Sequence, residues 1–377
     1  MGSATFDVVI IGAGIVGAAC ADELARRGMR VAVVDREMVG GGATAAGMGH
    51  IVVMDDSEAQ FALTRYSQRL WQALRTELPD DVEYEQCGTI WVAADDEEMA
   101  EVRRKHEYYV SRGVPTQVLD ARELEALEPN LRDGMTGGLL VLEDVVLYPP
   151  CAARFLIERA QKHGAQLRLG VSVAKIWRGE VLLSDGASIT GKIIVNAGGA
   201  WAAALTPEVE IKKRKGHLVI TDRYRGFLRH QLVELGYLKS AHSVASDSVA
   251  FNVQPRRTGQ ILIGSSRQYG AEHKEVDQEI LRQMLLRAQE YMPGLSSMSA
   301  VRTWTGFRAA TPDKLPLIGP WPGDDSLFLA TGHEGLGITT SLGTAKLLAD
   351  QISGVAPEIP NEPYLPARAR EECAHAE

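Results

Sequence analysis

The chain has 377 residues, 45% of them hydrophobic, which is too many for one ordinary core and suits two globular domains. A formal net charge of −9 with no long run of like charges leaves no footprint for nucleic acid or an anionic membrane. The cysteines, at 20, 87, 151 and 373, form no C-x-x-C and no metal-like pairing with the histidines, so they read as free thiols in a reducing compartment and no metal site is expected. No Lys or Arg precedes Arg26, so the first apolar run lacks the basic region of a signal peptide, and it is too interrupted to span a bilayer. The expected location is the cytoplasm.

The chain opens on "FDVVIIGAGIVGAACADELARRGMRVAVVDRE". Val8 to Ile11 form a short continuous apolar run of the kind a buried parallel strand shows, followed by Gly12-x-Gly14-x-x-Gly17. Ala18, Ala19, Leu24 and Ala25 suit one face of a helix that Gly28 can stop, and Val31 to Val34 read as a second buried strand ending in Asp35. This is a complete βαβ unit with the glycine turn that lets a pyrophosphate approach a helix N-terminus. Asp35 falls where an acid grips ribose hydroxyls. NAD and the ADP half of FAD use the same device.

The next stretch, "GGATAAGMGHI" from Gly41 to Ile51, is nearly bare of side chains. Such composition suits a linker, but it follows the ribose acid by a few residues, and a flat ring stacked on backbone demands small residues there. Beyond it, Ser57 precedes Phe61, Tyr66, Leu70, Leu74 and Leu78 at helical spacing, predicting a helix over 57–78. Helical patterns also cover 97–112 and 277–291, while "GTIWVAA", "LLVLEDVVLYP" and "VAFNVQPRRTGQILIGSS" have strand composition. "KIIVNAGGAWA" reads as a buried strand running into Gly198-Gly199, and "SLFLATGHEGLGITTSLGTAKLLADQI" as strand, glycine loop and a helix from about 338 to 352.

In the nucleotide turn, in "GATAAGM", in "IIVNAGGAWA", in "TWTGFRAATPDKLPLIGP" and in "LFLATGHEGLGITTSLGTAKLLAD", the sequence resembles the D-amino-acid oxidase superfamily, within its glycine oxidase-like branch. "GHEGLGITTSLGTA" is most similar to the subgroup of D-hydroxyproline dehydrogenases, opine oxidase subunits and hydrogen cyanide synthase subunits. The resemblance implies an α/β fold with an FAD-binding Rossmann-like domain of the glutathione-reductase type and a second, mostly antiparallel sheet roofing the flavin. Flavin-binding pieces are expected at 1–80, 140–215 and 300–377, and a substrate domain at 81–139 and 216–299. It also implies FAD as cofactor, a small amino or imino acid substrate, an electron acceptor that is oxygen, a quinone or a partner protein, and a homo- or hetero-oligomer.

Expected cofactor contacts follow the motifs. The turn contributes Gly12, Ala13, Gly14, Ile15, Val16 and Gly17, and the end of the second strand Asp35 and Arg36. The small-residue loop contributes Ala43, Thr44, Ala46, Gly47 and Met48, and the middle segment Val173, Ala197, Gly198 and Trp201. Arg308, Gly335, Leu336, Gly337, Ile338 and Thr339 complete the set, although Thr339 and Thr340 equally suit capping and packing. The absence of a cysteine before Thr311, where similar sarcosine oxidases tether flavin, predicts non-covalent FAD.

Oxidising an amine by hydride transfer to flavin N5 asks the protein chiefly for orientation, and a guanidinium offers a carboxylate two parallel donors. Arg308 in "TWTGFRAATPD" matches the carboxylate-clamping arginine of a G-x-R-P motif, with Ala309 in place of the proline. Gly335 stands where glycine oxidases carry a second arginine. His50 follows the small-residue loop, and Asn252 and Gln254 share a face if their segment is a strand, so all three are candidates to contact substrate; each equally suits packing or solvent. His333 is expected to support the flavin loop, and Glu334 reads as an exposed loop acid. An NADPH-dependent hydroxylase would need a late Gly-Asp pair that "ATGHEGLG" lacks, and a flavin-free nicotinamide dehydrogenase leaves "GATAAGM" unexplained. A non-catalytic FAD-binding subunit stays open beside the leading reading, oxidation of a Cα–N bond, with D-hydroxyproline first among substrates and glycine, sarcosine or a D-amino acid as alternatives.

Overall fold

The computed structural model describes residues 5–236 and 247–368, so Cys373 lies outside the described residues. Strand β1 (Thr5–Ile11) uses the first apolar run, helix α1 (Ile15–Arg26) opens directly after Gly14, and β2 (Val31–Asp35) closes the βαβ unit. The strands pair in parallel, Val8 beside Val31 and Ile11 beside Val34. Their apolar runs are unbroken because both faces of this sheet are covered. Ala18, Ala19, Leu24 and Ala25 are buried on α1 as their spacing predicts. Arg27 then ties the end of α1 to Asp350, at 2.6 Å, in the C-terminal helix Gly337–Ser353.

A short helix α2 (Gly42–Ala45) and strand β3 (His50–Ile51) lead into α3 (Glu58–Leu74), which Ser57 caps by accepting a hydrogen bond from the Gln60 amide. Phe61, Tyr66 and Leu74 are buried on α3; Leu78 falls beyond it, because the chain tightens into a 3-10 turn at Arg75–Glu77. The strands that follow are β4 (Thr89–Ala93), β5 (Thr116–Asp120), β6 (Gly137–Val141), β7 (Val145–Val146), β8 (Gln166–Leu169), β9 (Val173–Trp177), β10 (Glu180–Leu183) and β11 (Ser188–Asn196). After them come β12 (Lys212–Arg223), β13 (Gln231–Glu234), β14 (Ser248–Pro255), β15 (Gln260–Arg267), β16 (Ala300–Ala310), β17 (Leu317–Trp321), β18 (Asp324–Thr331) and β19 (His333–Glu334). The helical patterns at 97–112 and 277–291 fold as Asp96–Val110 and Gln278–Tyr291.

One sheet has eight strands, in the order β17-β18-β11-β1-β2-β8, with the β9-β10 hairpin attached to β11. A second has nine, in the order β19-β16-β12-β15-β14-β13-β4-β6-β5, and is antiparallel except where β13 lies parallel to β4, while β3 and β7 pair as a separate two-stranded sheet. The fold is therefore the expected one: a Rossmann-like sheet and a second, mostly antiparallel sheet. The expected boundaries cut across the pairing, however. β6 straddles the division at 139–140, β12 that at 215–216, and β16, placed with the flavin pieces, is hydrogen-bonded into the second sheet beside β12. The β16 motif faces the cavity between the sheets, so it reads as flavin-binding although its backbone belongs to the roof. Among the described residues no helix is long and apolar enough to cross a membrane.

Candidate active site

A cavity of about 430 Å³ runs between the two sheets. Its floor begins at the glycine turn. Gly17 lies so close to the preceding turn that a Cβ there would sit 1.9 Å from the Gly12 carbonyl oxygen, which is why helix and strand meet this tightly only with glycine. α1 carries no acid in its first turn and its N-cap, Gly14, has no side chain, so apart from the Ile15 amide, which the Thr44 hydroxyl engages, its positive end is open to an anion. Asp35 lines the cavity while its carboxylate accepts from the Ala13 amide at 2.6 Å and the Glu37 amide at 2.8 Å. Each oxygen retains a lone pair for a hydroxyl. Ala13 thus orients the acid and does not itself line the cavity. The Arg36 guanidinium lies 4.2 Å from the Trp201 ring centre, and both residues line the groove with Val173, Ala197 and Gly198.

The small-residue loop is fastened at three points. Thr44 Oγ1 accepts from the Ile15 amide at 2.9 Å, Gln254 Nε2 donates to the Met48 carbonyl at 2.8 Å, and Thr339 Oγ1 donates to the His50 carbonyl at 3.0 Å. Ala43, Thr44, Ala46, Gly47, Met48 and His50 all line the cavity. Gln254 and Thr339 do not: both are buried and hold the loop from behind. Gly335, Leu336, Gly337 and Ile338 face the cavity where the C-terminal helix starts, again without an acid in its first turn or a side-chain cap.

The roof is built from alternate residues of neighbouring strands, since a strand presents every second side chain to one face. Arg308 leaves β16 and crosses β12, its Nη1 donating to the Ser266 carbonyl of β15 at 2.9 Å. Gly216 makes that crossing possible, because a Cβ there would meet Arg308 Nη1 at 2.6 Å and Nη2 at 2.9 Å. Next in the roof stand Asn252 on β14, Gln231 on β13 and Thr89 and Trp91 on β4.

His50 is held neutral. Burial pushes its imidazole down to about 4, the Arg308 guanidinium adds to the effect, and hydrogen bonding to the Gly335 backbone partly offsets it. At neutral pH the cavity therefore pairs a fixed positive charge at Arg308 with an uncharged imidazole. His333, buried behind the loop with Nε2 2.9 Å from Thr344 Oγ1, is driven by burial to about 3. Its folded pKa lies below the unfolded value of ~6.5, so the unfolded chain binds more protons between them and stability is lost as pH falls through that window. Replacing His333 by Gln should flatten this loss: melting followed between pH 6.5 and 4 is expected to show a smaller drop in Tm for the variant than for the parent. An equal drop would show that His333 does not titrate in this way.

Several cavity residues were invisible to motif reading. Arg214 and Arg267 face the cavity from β12 and β15, Gln231 and Trp91 from β13 and β4, and Gly216 from β12. Strand alternation was their only signal, and it needs the register to be known. Glu334 is not an exposed loop acid; it is half-buried, lines the cavity and pairs with Arg214, whose strand lies next to β16. None of Cys20, Cys87 and Cys151 lines the cavity. Among the described residues no group of three or more His, Cys, Asp or Glu could hold a metal ion. A helix start beside glycines with no acid in its first turn, an acid at the end of β2, a bare-backbone loop and a second helix start without an acid fit an adenine dinucleotide carrying a flat ring.

Residues 7–351 match the family described as DAO, FAD dependent oxidoreductase. The chain is 31% identical over 379 residues to a glycine oxidase of Pseudomonas aeruginosa, covering 96% of this chain and 98% of that protein. It is 29% identical to the hydrogen cyanide synthase subunit HcnC of the same organism, covering 98% of each. Among solved structures, that of an L-proline dehydrogenase from P. horikoshii superposes with a TM-score of 0.86 at 25% identity, over 98% of this chain and 99% of that one.

Proposed function

Because the chain belongs to the DAO family of FAD-dependent oxidoreductases, we propose that it oxidises the Cα–N bond of a small amino or imino acid whose carboxylate is held by Arg308, and that D-hydroxyproline is preferred to proline. FAD, when bound, supplies the two-electron oxidant: Cα–H and N–H are lost, C=N forms, and hydroxyproline becomes a pyrroline carboxylate. The chain's own residues orient and select. Arg308 fixes the carboxylate by charge-assisted bonds, and its contact with Ser266 holds the guanidinium in place. His50, kept uncharged by its surroundings, adds no second cation to repel the substrate nitrogen.

The observation that carries the hydroxyl preference is the Asn252 Oδ1. It is buried, faces the cavity, and has no hydrogen-bond partner among the described residues. A site built to hydrogen-bond a hydroxyl rejects the analogue lacking it, because its own polar group is then left unpaired. The relatives' names support the class, one acting on glycine and a structural neighbour on L-proline. A hetero-oligomer is the second arrangement favoured, by the likeness to a synthase subunit.

Anaerobic bleaching of the flavin by glycine, sarcosine, D-alanine, D- and L-proline and the hydroxyproline isomers tests the reading. The hydroxyprolines should be fastest; glycine or D-alanine in first place would remove the imino-acid preference, and no bleaching by any would remove the catalytic reading. Since no described cysteine lines the cavity, acid precipitation should release the flavin into the supernatant. Yellow colour kept in the washed pellet would refute non-covalent binding.

A further inference from the structure

Beyond Asn252 the roof continues with groups that a small amino acid cannot reach. In register across the strands, Val233 lies opposite Asn252 and beside Trp91, while Gln231 lies beside Thr89. Gln60 enters the same cavity from the first turn of α3. Gln60 Oε1, Trp91 Nε1 and Gln231 Oε1 have no hydrogen-bond partner among the described residues, and their side chains belong to residues at most 8% exposed, whereas the Thr89 hydroxyl is engaged by the buried Asp144 carboxyl. Buried polar groups in folded proteins are almost always paired, so three lining one cavity are a strong sign of a ligand's polar atoms.

The chemistry of this end is specific. Trp91 offers a donor and the two amides both a donor and an acceptor, none of the three charged, while Asp56, which also lines the cavity, is exposed to solvent. The Trp91 ring is fixed from its far side by the Lys105 ammonium, which is paired with Asp55 and lies 4.8 Å from the ring centre. The distance from the carboxylate clamp is also set. Arg308 reaches β15, and β13 and β4 lie two and three strands further on, about 10 to 15 Å away at the usual spacing. Proline or glycine does not span that.

We infer that this end of the cavity is a second, neutral hydrogen-bonding subsite that takes an uncharged polar extension of the substrate, a carboxamide or hydroxyl group, with Trp91 and Gln231 as its specificity-determining residues. This rests on Arg308 holding the carboxylate. It makes the full substrate an amino or imino acid of about dipeptide length, of which hydroxyproline fills only the near part.

The test compares glycine with three N-substituted glycines of equal size: N-(3-carbamoylpropyl)glycine, N-(3-carboxypropyl)glycine and N-(4-methylpentyl)glycine. In the holoenzyme the carbamoyl compound should give a kcat/KM about tenfold or more above the hydrocarbon and above the carboxylate. In Gln231→Leu, and separately in Trp91→Phe, the ratio of carbamoyl to hydrocarbon should collapse toward one, whereas a merely structural residue would lower all substrates alike and leave the ratio unmoved. Equal rates for the three long compounds, or a ratio unchanged in both variants, overturns the subsite. Bleaching by glycine with none by the long compounds overturns the subsite alone, and bleaching by none overturns the clamp reading on which it stands.

Discussion

Arg308→Ala should raise KM for every carboxylate substrate by about tenfold or more, with flavin content unchanged. Each charge-assisted bond lost is worth ~1.5–3 kcal/mol, and 1.4 kcal/mol is about tenfold in binding. The side chain is anchored to Ser266 and lies over Gly216, so the guanidinium is presented to substrate already oriented. Arg308→Lys keeps the charge but loses the planar fork, and should fall between the two. Steady-state kinetics beside the ratio of visible to ultraviolet absorbance separates binding from cofactor loss. A KM unaltered in Arg308→Ala would assign the arginine to packing of β16 on β12.

The second large effect belongs to Gly17→Ala. The added methyl would sit 1.9 Å from the Gly12 carbonyl oxygen, so α1 must move off the turn that presents its first amides. Overpacking at such a contact costs ~1–3 kcal/mol, equivalent to a fall in dinucleotide affinity of about ten- to a hundredfold. The purified variant should be nearly colourless, with circular dichroism like that of the parent. Full flavin occupancy would mean that the helix can shift without cost.

Local chemistry made the first half of this legible in the sequence. The βαβ unit was readable because glycine spacing, apolar runs and a terminal acid all act within a few turns of chain, and the structure places β2 on Val31–Asp35. Arg308 was readable through its motif, and His50 and Asn252 through their positions near motifs. Gln254 and Thr339 show the limit: they lie beside cavity residues in sequence, yet one turns to the Met48 carbonyl and the other to the His50 carbonyl. Arg214, Trp91 and Gln231 show the converse, because they reach the cavity only through strand pairings between distant segments. β16 was grouped with the flavin-binding pieces through its motif, and its pairing with β12 was not legible for the same reason, since a motif records what a strand faces and not what it is hydrogen-bonded to.

The loop Gly42 to His50 is tied to α1 through Thr44, to β14 through Gln254 and to the C-terminal helix through Thr339. Its conformational entropy is therefore lost when the chain folds rather than when the dinucleotide arrives. Assembly of the holoprotein then becomes docking into a seat of fixed shape, and flavin removed gently should return without a folding step. The same ties join one nine-residue segment to two helices and to β14, so a route for the cofactor that opened this loop would have to break all three. Arg36 and Trp201 line the cavity as well, and the Trp201 ring packs edge-on against Phe307 of β16, so that end of the seat too is bounded by the roof.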